Sequence, residues 1–199
     1  MKLLLLLSFC LLHLAKANSQ DCGNKEKAMV SPKLRTGKQL PSDFFTTCVK
    51  DKNYYYLTYD SLDASCQKKY AGLFNFFSMH FGELHLVTNR KGQIYSIQFE
   101  HRFKDTQGAD TLSRELPKEF RQIYKKLESL FGKVEIQERI DRLSQKVTSI
   151  TQRAAFFCNE VRVFINDYRD IYKPGHRVSV EVRNQNYEMV DVLEEQIEQ

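Results

Sequence analysis

The sequence predicts an α+β fold, an antiparallel β-sheet packed on one face by two amphipathic helices. Two observations carry this. Residues 83–103 form two alternating apolar/polar runs around a polar turn, the period-2 pattern of a half-buried hairpin. Residues 112–131 then change to apolar steps of three and four, the period of a helix with one buried side.

Before any of this comes a leader. Met1-Lys2 is basic, Leu3–Leu14 is apolar apart from Ser8 and His13, and Ala15-Lys16-Ala17 is a small-x-small cleavage pattern. These features read as a secretory signal peptide over 1–17, cut after Ala17. No later run approaches the ~20 apolar residues of a transmembrane helix. The expected location is therefore secreted or periplasmic. Cleavage removes Lys2 and Lys16, so the formal charge of +5 falls to +3. That is too small an excess to argue for nucleic acid or an anionic membrane.

Cys22, Cys48, Cys66 and Cys158 remain after cleavage. An even count in an oxidising compartment favours two disulfides. The expected pairing is Cys48–Cys66 with Cys22–Cys158. The cysteines stand singly, without a C-x-x-C pair, so zinc ligation is the weaker reading.

Residues 18–43 are polar and basic with no sustained period, and read as an N-terminal arm, with a single α+β domain over 44–199. Tyr54–Tyr59 reads as a strand. Tyr54 and Tyr56 are candidates for a stacking platform, against the blander reading of aromatics on an ordinary sheet. In the hairpin, Asn89-Arg90-Lys91-Gly92 is the turn, with Leu84 facing Ile97, Leu86 facing Tyr95 and Thr88 facing Gln93. Leu84, Leu86, Tyr95, Ile97 and Phe99 then share the core face, and Glu83, His85, Ser96, Gln98 and Glu100 the wet face. Continued outward, this register sets His80 against His101.

Pro117 suits the first turn of the 112–131 helix, and Gly132 suits its C′ stop. Ile136, Ile140, Leu143, Val147 and Ile150 again step by three and four, which predicts a second helix over 134–152. Its stripe could also serve as a homodimer seam. Strands follow at 161–165 and 176–182, with turns at 166–170 and 173–175. Met189, Leu193 and Ile197 suggest a short acidic helix at the end.

No nucleophile elbow, P-loop, dinucleotide fingerprint or H-E-x-x-H is present. Neither catalytic residues, a cofactor nor a metal site is nominated. His80 and His101 remain as functional candidates, although partly buried structural histidines are the commoner case. Glu83 and Glu100 could supply a general acid, but solvated strand carboxylates are commoner. The expected function is that of a non-enzymatic secreted or periplasmic protein that binds another protein of its compartment, as inhibitor- or immunity-type proteins do. The alternative is a small secreted hydrolase with a histidine-containing site.

Overall fold

The computed structural model describes residues 22, 24–40, 49–51, 53–103, 116–143, 146–170 and 173–189. Residues 1–17, Cys48, and the expected helical positions Leu112, Leu193 and Ile197 lie outside them.

The chain is mixed helix and strand, as expected, and strands dominate. Among the described residues ten strands form, in chain order β1 (Val49–Asp51), β2 (Tyr54–Thr58), β3 (Asn75–Phe76), β4 (Met79–His80), β5 (Glu83–Thr88), β6 (Ile94–Phe103), β7 (Gln137–Leu143), β8 (Lys146–Cys158), β9 (Val161–Asp170) and β10 (Lys173–Asn184). Eight of them make one sheet in the order β1-β2-β5-β6-β10-β9-β8-β7, with every pairing antiparallel. β3 and β4 form a separate small hairpin. The helices α1 (Ala64–Tyr70) and α2 (Lys118–Phe131) accompany the sheet, and residues 24–29 and 185–189 are also helical.

One face of the sheet is the core. Tyr55 and Leu57 of β2, Leu84 and Leu86 of β5, Ile97 and Phe99 of β6, Val178, Val180 and Val182 of β10, and Val163 and Ile165 of β9 are all buried. Each set is spaced by two, as the pleat requires. α2 lays Phe120, Ile123 and Leu127 on this face. It ends at Gly132, whose φ of +89° is the left-handed region glycine enters without penalty.

The expected second helix does not form. Residues 137–158 are instead the β7–β8 hairpin, in which Ile140 faces Ile150. The apolar steps at 136–150 satisfy a helical stripe, but Val147-Thr148-Ser149-Ile150-Thr151 is rich in β-branched residues that favour strands. Partners on both sides of β8 settle the choice, and the homodimer seam expected of that helix disappears with it.

The N-terminal arm also departs from expectation. Residues 24–29 are helical, and Met29, Val30, Leu34 and Leu40 are core residues. Glu26 is buried, and its carboxylate accepts hydrogen bonds from the Thr36 N–H at 2.6 Å and the Thr36 hydroxyl at 3.0 Å. Gly37 has φ +81°, and a Cβ there would lie 2.3 Å from the Tyr187 ring. Conformation and close approach both demand glycine at this position.

Cys22 is bonded to Cys158, with Cα atoms 5.7 Å apart, so one of the two expected disulfides is present. Cys66 is half-buried and forms no disulfide with a described residue.

The β5–β6 register also differs. Leu84 faces Phe99, Leu86 faces Ile97 and Glu83 faces Glu100, with an irregularity between Val87 and Thr88. The shift from the expected pairing is two residues, because the loop runs from Asn89 to Gln93, closed by Asn89 N–H to Gln93 O at 2.9 Å. A two-residue slip preserves faces, so the core assignments of Leu84, Leu86, Ile97 and Phe99 hold. Tyr95, next to the irregularity, is only half-buried. Strand β9 runs straight through the expected turn at 166–170. The expected turn at 173–175 becomes an irregularity in β10, with Gly175 at φ +93°.

Candidate functional site

The sheet's second face is where chemistry gathers. Burial by α2 and the 22–40 segment falls on the core face, so the opposite pleat positions stay half-exposed. At one end, β2 presents Tyr54 and Tyr56, β5 presents Glu83 and His85, and β6 presents Gln98 and Glu100. The registers Tyr56↔His85, His85↔Gln98 and Glu83↔Glu100 bring these side chains together.

His85 is the centre of the group. Its Nδ1 and the Tyr54 hydroxyl hydrogen-bond to each other. Its ring lies 4.7 Å from that of Tyr56 and 5.7 Å from that of Tyr54. The Tyr56 hydroxyl in turn accepts from the Thr58 hydroxyl at 2.7 Å. Nε2 of His85 is buried without a hydrogen-bond partner, its closest carboxylate oxygen being Glu83 Oε2 at 3.6 Å. Burial pushes the His85 pKa down, favouring neutral imidazole, and the charges of Glu100 and Glu83 oppose this only in part. Burial also raises the Tyr54 phenol, with Glu100 adding to the effect. Arg177 on β10 holds one oxygen of Glu100 at 3.3 Å.

Across β8, β9 and β10 the same face is built of stacked arginines and aromatics. Arg153 lies over Phe164 at 4.5 Å, Arg177 over Tyr168 at 5.3 Å and Arg162 over Phe157 at 5.8 Å. Arg183 stands over Tyr95 at 5.9 Å. Phe157 is 59% exposed and meets Phe164 edge-on at 6.4 Å. Arg183 also donates to Glu188 and Arg177 pairs with Glu100. Planar guanidinium on an aromatic face costs little desolvation and keeps its edge available for hydrogen bonding. The strands hold these groups in place.

The sequence candidates separate into two fates. Tyr54 and Tyr56 stand together in the cluster. His80 and His101 do not pair. His80 faces Asn75 in the small β3–β4 hairpin, with its ring 4.5 Å from Tyr59. His101 faces Val178 in the large sheet, its ring 4.6 Å from Phe103. The two rings still feel each other: burial first, then the charge of His101, lowers the His80 pKa. Gly82 gives His101 its room, since a Cβ there would lie 2.9 Å from Nδ1. The expected histidine pair depended on a straight strand from 80 to 88, and the chain instead turns before Glu83.

Sequence reasoning placed Glu83, His85 and Glu100 on one wet face without recognising that they converge. The signal was available, because residues i and i+2 on one strand and their cross-strand partners form a square on one face. The Arg–aromatic stacks were not foreseen because the sequence reading gave 153–158 no strand and turned the chain at 166–170. The β8–β9 register that sets Phe157 against Arg162 and Ala155 against Phe164 was therefore not available.

Two other features carry less chemistry. A cleft of about 360 Å³ between the β3–β4 hairpin and α2 is lined by Phe77, Met79, Gln122, Ile123, Lys125 and Lys126, with neither carboxylate nor histidine. On the core face, buried Arg169 donates to Asp167 and to Gln152, both at 2.7 Å. His176 bonds Glu119 of α2 at 3.2 Å. These polar links tie β8, β9, β10 and α2 together.

Comparison of the chain with protein-family models, curated proteins and solved structures returns no match, so the chemistry of the outer face carries the functional reading.

Proposed function

We propose that this chain is an exported, non-enzymatic protein that binds another protein, as inhibitor- and immunity-type proteins do, using the outer face of its sheet. The observation that carries the reading is the run of arginine–aromatic stacks on β8, β9 and β10, with Phe157 standing out of it. Arginine and aromatics are the residue types enriched at interface centres. Guanidinium groups pre-stacked on rings lose little further freedom on binding. The Cys22–Cys158 bond supports a compartment where disulfides persist, in keeping with the leader-like first seventeen residues. No helix among the described residues is long and apolar enough to cross a membrane.

The test places a photo-crosslinking residue at Phe157 and, separately, at Ser129 on α2, in protein expressed in its native host. A single protein partner captured from position 157 and not from 129 is expected. Its binding should fall at least tenfold in Arg153→Glu and in Arg162→Glu, whose folding is unchanged. Equal capture from both positions, or binding indifferent to the arginines, would refute the reading.

A further inference from the structure

We propose that Glu83, His85 and Glu100 bind one first-row divalent cation, of which Zn²⁺ is the type, on the outer face of the sheet. The inference goes beyond protein binding and stands independently of it.

Geometry comes first. One ligand atom from each of the three residues lies within 4.8 Å of the other two. The closest measured edge, His85 Nε2 to Glu83 Oε2, is 3.6 Å. Zinc–nitrogen and zinc–oxygen bonds of about 2.1 Å set tetrahedral ligand–ligand edges near about 3.4 Å. That edge is therefore nearly in place, and the others close by rotation of two glutamate side chains, which are long enough to swing an oxygen inward.

Charge is the second argument. Glu83 and Glu100 are direct cross-strand neighbours, and like charges in that relation are destabilising. Arg177 balances one oxygen of Glu100; the other accepts only a long 3.5 Å hydrogen bond from the neutral Gln98 amide, so its negative charge and that of Glu83 remain around the same point. A dication there converts repulsion into attraction to both.

His85 supplies the third. A ligating histidine uses one ring nitrogen and engages the other in a hydrogen bond that holds its orientation. Here Nδ1 is bonded to the Tyr54 hydroxyl, while Nε2 is buried, has no hydrogen-bond partner and faces the carboxylates. With Nδ1–H donating to the phenol oxygen, the Nε2 lone pair is the ligand. Tyr54 and Tyr56 flank the ring and limit its rotation. One imidazole with two carboxylates suits zinc, manganese or iron(II) better than calcium or magnesium, which take oxygen alone. Three protein ligands leave the fourth position to water.

The experiment uses the whole mature chain with its disulfide oxidised, stripped by chelation and titrated with Zn²⁺ by calorimetry and with Co²⁺ by its visible d–d absorption. One equivalent of each should bind. Glu83→Gln and His85→Ala should each weaken binding by more than about 100-fold, beyond what losing a merely supporting group costs. His80→Gln and His101→Gln should bind as the parent does. Metal-free Glu83→Gln should also melt no lower than the parent, because it removes the like-charge contact. This readout keeps the test valid if His85→Ala folds poorly. The proposal is overturned by absent saturable binding in the folded parent, by undiminished binding in Glu83→Gln, or by binding lost only in the His80 and His101 variants.

Discussion

Removing the Cys22–Cys158 bond should be among the costliest double substitutions in this protein. The bond joins residues 136 apart in sequence. In the chain-entropy model, opening a loop of that length returns to the unfolded state freedom worth about 5 kcal/mol, at the top of the usual range of roughly 2–5. Ordinary domains have only ~5–15 kcal/mol in total. The native state adds to the effect, because the bond anchors the start of a segment that places Met29, Val30, Leu34 and Leu40 in the core. The perturbation is Cys22→Ala/Cys158→Ala, chosen because both residues pack against the core and alanine leaves no buried polar group. Urea unfolding of parent and variant, followed by circular dichroism, is the assay. The expected loss is ~3–5 kcal/mol, with an increase in m because an unlinked unfolded chain exposes more surface. Parent and variant should unfold alike when both are in strong reductant. A loss below ~1 kcal/mol with unchanged m would refute the entropic argument and detach the 22–40 segment from the cooperative unit.

Three further outcomes are expected. Phe120 is fully buried on α2, so Phe120→Ala should cost ~3–5 kcal/mol, and an unchanged melting temperature would contradict the packing of α2 on the sheet. Burial raises the Glu26 pKa against the hydrogen bonds from Thr36; its folded carboxyl holds a proton more tightly than the unfolded one. Its contribution is thus fully present below the unfolded value of about 4.3 and is lost as pH rises through the raised folded value. Melting temperatures from pH 4 to 7 should therefore show Glu26→Gln gaining on the parent as pH rises, and a pH-independent gap would refute this. Thiol titration of the denatured, unreduced mature protein should find no free thiol if Cys48 pairs with Cys66, whereas two would show that Cys22–Cys158 is the single bond.

What the sequence determined by itself is mostly which side of a strand each residue occupies. Alternation assigned Leu84, Leu86, Ile97 and Phe99 to the core and Glu83, His85, Gln98 and Glu100 to the outer face, and the two-residue slip in register left those assignments intact. For the same reason Val178, Val180 and Val182 were legible as one buried row. Helix α2 was legible because its stripe, from Phe120 to Phe131, is long and ends in glycine. Tertiary structure decided what period alone leaves degenerate. Residues 136–150 fit a helical stripe and a strand pair almost equally, and hydrogen bonding to β7 and β9 on both edges of β8 selected the strand. The 22–40 segment has no period at all, so its five core residues, Cys22 among them, were recognisable only once the disulfide and Thr36 held it against the sheet. The histidines show both sides of this. Local pattern placed His85 on the wet face, but its neighbours Tyr54, Tyr56 and Glu100 come from other strands. Only register, set by loop length and by the irregularity at Val87–Thr88, could bring those side chains to one point and keep His80 from facing His101.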